Sequence, residues 1–188
     1  MAPDGIDPLE AGLRIAAALE ASNIRYALGG ALAYGLWGIP RATVDVDVNL
    51  FVDDSELESA LDALSAMGIP LDREMARQAA KRDGLIVLHF GPYRLDLFTP
   101  STDFSWEAAR TRVRHTVEGK AAWFLSAEAI AVFKLLFFRA KDLVDLERLV
   151  AVQGDRLNVA YVRDWIVRMM GETDERVVRW DEMVSAGR

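Results

Sequence analysis

Two aspartates one residue apart, Asp45 and Asp47, stand in the alternating run Val44-Asp45-Val46-Asp47-Val48-Asn49-Leu50-Phe51. A period of two is that of a half-buried strand, so both carboxylates share a face with Thr43 while Val44, Val46 and Val48 turn to the other. Aspartate is a poor strand former, and two ionised carboxylates at this spacing repel. A hard cation relieves the repulsion. Mg²⁺ prefers carboxylate oxygens and fills its shell with nucleotide phosphates, and Mn²⁺ suits the same donors. The lesser reading of the pair is an exposed edge strand, where charge blocks edge-to-edge association.

Upstream, Gly29-Gly30 falls where a short strand candidate, Ile24 to Leu28, gives way to a small-residue helix, Ala31 to Leu36. Free amides and the helix dipole at such a junction attract anions, and glycine lets a phosphate approach the backbone closely. A tight turn by itself also explains two glycines. A third carboxylate, Asp96, lies in Tyr93-Arg94-Leu95-Asp96-Leu97-Phe98, on the face opposite Leu95 and Leu97. If the two strands are neighbours, Asp96 joins Asp45 and Asp47. Phosphoryl-transfer sites share carboxylates between metal ions in this way, and a third acid commonly activates the attacking hydroxyl. The alternative is a surface pair between Arg94 and Asp96.

The run Gly29-Gly30-Ala31-Leu32-Ala33-Tyr34-Gly35 followed by Arg41-x-Thr43-x-Asp45-x-Asp47 resembles the signature of polymerase-β-type minimal nucleotidyltransferases. Within these it is most similar to the AbiEii/MenT group of toxin-antitoxin and abortive-infection enzymes. A second match, Leu125-Ser126-Ala127-Glu128, Lys134 and Arg139-Ala140-Lys141-Asp142-Leu143-Val144-Asp145-Leu146, resembles the group's helical motifs. The resemblance spans about Ile24 to Leu149. Many members carry Gly-Ser where this chain has Gly29-Gly30, and the C-terminal half here is short.

The resemblance implies transfer of a nucleoside monophosphate from an NTP to an acceptor hydroxyl, with Mg²⁺ and release of pyrophosphate. It implies Asp45, Asp47 and Asp96 as metal ligands, with Asp96 also as base, and Lys134 as a catalytic cation. Gly29, Gly30, Arg41, Thr43, Asp142 and Asp145 are the implied nucleotide contacts. tRNA is the implied acceptor and a cognate antitoxin the implied protein partner. A small-molecule acceptor such as an antibiotic, a protein hydroxyl, and a catalytically weak nucleotide-binding module are the competing readings.

A lysine aimed from a helix at the carboxylate cleft binds a triphosphate as a point charge. Lys134, Lys141 and Asp145 share one face if a single helix runs through them, and removing Lys134 then takes away no core group. A solvated face opposite Ile130, Phe133, Phe137 and Leu146 is the other reading. Arg110, Arg112 and Arg114, with His115 adjacent, form a one-sided basic stripe if extended, suited to a phosphate backbone or to a protected sheet edge. His89 reads as a structural strand residue. Trp165 and Trp180 read as core or partner surface on amphipathic helices.

The elements that must position these groups follow from periodicity. Pro8 to Ala21 is helical, Ser55 with Glu58 is a capping box opening a helix to about Met67, and Leu85 to Phe90 with Tyr93 to Phe98 form a hairpin about Gly91-Pro92. Arg112 to Thr116 and Ala121 to Leu125 supply further strand. Ser126 to Phe138, Asp142 to Val152, Val159 to Met169 and Asp174 to Met183 are helical. The expected architecture is α/β, a mixed sheet flanked by helices over residues 1–125, with a helical subdomain over 126–188.

The 188 residues carry 22 Lys plus Arg against 29 Asp plus Glu, a formal charge of −7 that disfavours nonspecific adhesion to polyanions, so a nucleic-acid partner needs a local basic patch. With no cysteine there is no disulfide, thiolate metal site or cysteine nucleophile. His89 and His115 leave little for a histidine zinc site. Ala127 to Phe138, the most apolar stretch, is interrupted by Glu128 and Lys134, and the N-terminus lacks a basic leader, so the expectation is a cytoplasmic protein without a membrane span.

Overall fold

The computed structural model describes residues 5–187; the expectation about the N-terminus rests in part on residues 1–4, which lie outside the described residues. The elements run α1 (Pro8–Ala21), β1 (Tyr26–Leu28), α2 (Gly30–Trp37), β2 (Asp45–Leu50), α3 (Leu57–Ala66), α4 (Arg73–Asp83), β3 (Leu85–Phe90), β4 (Tyr93–Phe98), α5 (Asp103–Thr111), β5 (Val113–Val117), β6 (Lys120–Phe124), α6 (Ala127–Phe137), α7 (Ala140–Gln153), α8 (Val159–Met170) and α9 (Glu175–Ala186). They form two compact units. One ends at Leu32 and resumes over Ala42–Leu125; the other comprises Ala33–Arg41 and the chain from Ser126 onward. Helix α2 therefore begins in the first unit and ends in the second. Among the described residues no helix is long and apolar enough to cross a membrane.

The first unit is a mixed α/β layer with strand order β3-β4-β2-β1-β6-β5. β2 runs antiparallel to β1 and parallel to β4, while β3–β4 and β5–β6 are antiparallel hairpins. The alternation predicted for β2 holds at Val46 and Val48, both fully buried, while Asp45 and Asp47 are half-buried on the other face. Val44 departs from it and is 69% exposed, because the strand ladder begins only at Asp45. Helix α1 supplies Ile15, Ala16 and Leu19 to the core and starts where the Asp7 carboxylate accepts from Glu10 N at 2.8 Å, with Pro8 in its first turn.

Two local readings are corrected and one helix is added. Helix α3 opens at Leu57 without the expected Ser55–Glu58 capping box: in the turn before it Asp53 Oδ1 accepts from Glu56 N (3.0 Å) and Glu56 Oε2 from Asp53 N (3.2 Å), while Glu58 pairs with Arg73 and Arg77. Helix α4 was not legible, since its polar sequence buries only Ala76; its ends are set by an Asp72 cap and by Gly84 in the left-handed region at φ +65°. Helix α5 occupies Asp103–Thr111, so the extended stripe of arginines does not exist: Arg110 is helical, Arg112 caps the helix and Arg114 alone lies within β5.

In the second unit α6 and α7 are separate helices, because Phe138 turns the chain left-handed at φ +53° and closes α6. The single helix that would have aligned Lys134, Lys141 and Asp145 is absent, and Phe137, expected in the apolar face, is half exposed. The core of this unit gathers Ile130, Leu135, Leu146, Leu149, Val162, Ile166 and Trp180. Trp180 is a core residue whose indole N–H donates to Val159 O at 3.1 Å, whereas Trp165 is partly exposed and carries Arg168 over its ring at 4.6 Å.

Candidate active site

The carboxylates of the first unit are positioned by strand register. β2 and β4 pair so that Asp47 lies opposite Asp96 and Asp45 opposite Arg94; across the hairpin, Arg94 lies opposite His89 and Asp96 opposite Val87. Directly paired residues point to the same side of a sheet. One face thus presents Asp45, Asp47 and Asp96 with Arg94 among them, running out to the exposed Val87 and His89 at the edge. Both alternatives weighed for Asp96 are met at once. It neighbours Asp47, and Arg94 Nε donates to Asp96 Oδ1 at 2.7 Å. That bond, with the charge of Asp96 behind it and the weaker pull of Asp45 and Asp47, holds the Arg94 guanidinium above its ordinary value.

The glycine pair is fitted to Asp47. Gly29 N donates to Asp47 O at 2.8 Å, and a Cβ on Gly29 would lie 2.6 Å from Asn49 Nδ2. Gly30 has φ +48°, and a Cβ there would lie 1.8 Å from Asp47 Oδ2. Glycine is therefore required so that the Asp47 carboxylate can lie against the first turn of α2, where the helix dipole favours negative charge. Thr43, expected at phosphate, is engaged locally: its Oγ1 accepts from Asp45 N at 3.1 Å and lies 3.2 Å from Asp45 O, which fixes the entry into β2.

Among the described residues no three His, Asp or Glu side chains gather into a set that could hold a metal ion. The donor chemistry of Asp45 and Asp47 still suits a hard divalent cation, which commonly takes one or two carboxylates and leaves its other positions to phosphate oxygens and water. Asp96 already shares one oxygen, Oδ1, with Arg94, whose positive charge opposes a cation there.

In the second unit, Lys134 is 7% exposed rather than on a solvated face. Its Nζ donates to Asp145 Oδ2 at 2.6 Å and to Asp142 Oδ1 at 3.2 Å, and sits 5.2 Å from the centre of the Tyr34 ring. Tyr34 donates its hydroxyl to Asp145 O at 3.1 Å, Arg41 Nε lies 3.6 Å from Asp145 Oδ2, and Arg139 Nε donates to Asp142 Oδ2 at 2.6 Å. Asp142 also accepts from Arg139 N at the start of α7. Burial alone would push the Asp142 carboxyl up; the Arg139 hydrogen bond and the Lys134 charge outweigh it and hold the group below its usual range. Burial first, and then the Asp145 charge, raises the Tyr34 hydroxyl. Tyr34 and Arg139 were legible only as motif letters, since their partners are distant in sequence.

The remaining arginines are dispersed. Arg110 pairs with Glu107, Arg112 donates to Ala109 O and lies over Trp123, and Arg114 pairs with Glu20. His115 packs edge-on to Phe124 and His89 is an exposed strand residue.

Among solved structures the chain superimposes on the antibiotic-resistance factor ANT(2″)-Ia in its solution structure, with a TM-score of 0.60 and 15% identity over 96% of this chain and 92% of that one. This is a nucleotidyltransferase fold. The crystal structure of ANT(2″)-Ia in complex with adenylyl-2″-tobramycin gives 0.59 and 14% over 96% and 98% of the two chains. The lincomycin-bound lincosamide antibiotic adenylyltransferase LnuA gives 0.50 and 16% over 76% and 97%. No protein-family model matches the sequence, and no curated protein matches it.

Proposed function

We propose that the chain is a Mg²⁺-dependent nucleotidyltransferase that moves a nucleoside monophosphate from an NTP to an acceptor hydroxyl. The observation that carries this reading is the same-face pair Asp45 and Asp47, of which Asp47 is opposed by Asp96 and seated against Gly30, within a fold shared with nucleotidyltransferases. Asp45 and Asp47 would hold the cation, Mn²⁺ serving in place of Mg²⁺. Bound there, it would supply Lewis-acid stabilisation of phosphate charge.

In the step itself the acceptor oxygen bonds to the α-phosphorus, the bond from that phosphorus to the bridging oxygen breaks, and pyrophosphate leaves with the electron pair. Asp96, once free of Arg94, takes the hydroxyl proton. The Gly30 amide at the start of α2 offers a donor to a phosphate oxygen, Gly29 N being held by Asp47 O, while Asp47 and Asp45 orient the donor for in-line attack. In the second unit, Lys134, Asp142 and Asp145 form the interior of a charged cluster whose exposed cations are Arg41 and Arg139, 37% and 53% accessible at their side chains.

Two acceptor classes are supported by different observations. The AbiEii/MenT-like helical motif, from Lys134 through Asp145, supports a toxin acting on tRNA and restrained by an antitoxin. The near full-length likeness to ANT(2″)-Ia supports a hydroxylated small molecule such as an antibiotic. Incubation with each of the four NTPs labelled at the α-phosphate, in Mg²⁺, with tRNA, an aminoglycoside and a lincosamide in parallel, separates them. Label on RNA that declines steeply with salt marks a polyanionic acceptor; label on the drug marks the second class. NTP turnover or transfer in none of the mixtures would count against the activity itself.

A further inference from the structure

We infer that Arg94 is a built-in counter-cation of the carboxylate face, which competes with an incoming divalent cation for Asp96. This rests on the divalent-cation reading above. Asp47 and Asp96 are directly opposed on neighbouring parallel strands, where like charges are destabilising, and Asp45 adds a third negative charge two residues along. Arg94 answers that charge from within the same face: it is two residues before Asp96, opposite Asp45 in the ladder, and its Nε holds Asp96 Oδ1 at 2.7 Å.

The bond is placed to open. Arg94 has a side chain 48% accessible while that of Asp96 is 14% accessible, so the arginine can leave for solvent without disturbing the buried Leu95 and Leu97 on either side of Asp96. Its neighbour across the hairpin, His89, is exposed on the outermost strand of the sheet. Arg94 Nε takes one lone pair of Asp96 Oδ1, and a cation drawing on the same carboxylate is repelled by the guanidinium until that group moves. The site is thereby kept from binding cations strongly without nucleotide, whose phosphates supply the ligands that tip the exchange. Arg94 is a positioning residue in this account: it acts by deciding when Asp96 is available.

The test is Mn²⁺ titration by calorimetry, without nucleotide, of the wild type, Arg94→Gln and Arg94→Lys. Removing one positive charge about 6 Å from a dication in a water-like dielectric predicts binding about tenfold tighter for Arg94→Gln, and affinity near that of the wild type for Arg94→Lys. Equal or weaker binding by Arg94→Gln, or equal tightening by Arg94→Lys, overturns the inference while leaving the cation reading intact. Failure of the wild type to bind Mn²⁺ even with NTP overturns both. Should Arg94→Gln not fold, the wild type alone decides: the Arg94 Nε–H resonance, protected by Asp96, must lose that protection at saturating Mg²⁺ and NTP, and its persistence contradicts the exchange.

Discussion

Gly30 and Asp47 cannot be changed independently, because any Cβ at Gly30 would fall 1.8 Å from Asp47 Oδ2 on a backbone already at φ +48°. The glycine of the phosphate-cradle motif is thus tied to the aspartate of the cation motif. Gly30→Ala is expected to cost about 1–3 kcal/mol of stability, from left-handed strain and the displaced carboxylate together. A denaturant melt of Gly30→Ala in the wild-type and Asp47→Ala backgrounds checks this. The penalty should shrink in the second, where only the contact to the Asp47 Cβ at 2.8 Å remains.

Lys134 gives the opposite expectation from the one its sequence position suggested. Since its ammonium holds two buried carboxylates, Lys134→Ala should destabilise the protein by about 3–5 kcal/mol, the range for breaking a buried pair from one side. Lys134→Met is expected to do little better, because Asp142 and Asp145 stay unpaired by an ammonium. Unfolding midpoints unchanged by either substitution would show that the cluster does not carry stability.

Asp142 sets a pH window. Its folded carboxyl titrates below the ordinary value of 3.8, so the stability it contributes is fully present above that value and is lost as pH falls through the lower folded value. Asp142→Asn should therefore be less stable than the wild type at neutral pH, with the gap closing below about pH 4. Unfolding curves collected from pH 7 down to pH 2.5 read this directly, and a gap independent of pH would contradict it.

Tyr34 gives a smaller, local test. Tyr34→Phe removes the hydroxyl that donates to Asp145 O and is expected to cost about 0.5–1.5 kcal/mol in a thermal or denaturant melt, with the ring and its contact to Lys134 retained.

Legibility tracked the range of the interactions. Period-two alternation located β2 and set Asp45 and Asp47 on one face, and the Gly91-Pro92 turn located the β3–β4 hairpin to the residue. Parallel pairing of β2 with β4, which brings Asp96 opposite Asp47, is a long-range register that no local pattern encodes. The alternating arginines misled for the same reason, because α5 continues through Thr111 and makes the period of two irrelevant at Arg110. Lys134 was misjudged since the left-handed Phe138 folds α7 back, bringing residues eight and eleven positions away onto its ammonium, where a continuous helix would have kept them apart.

The central claim is that Asp45 and Asp47 form a cation-dependent nucleotide site. Calorimetric titration of NTP with and without Mg²⁺, on the wild type and on Asp45→Asn and Asp47→Asn shown by circular dichroism to be folded, tests it most directly. The account predicts that Mg²⁺ strengthens NTP binding in the wild type alone; an equal Mg²⁺-dependent gain in either variant would contradict it.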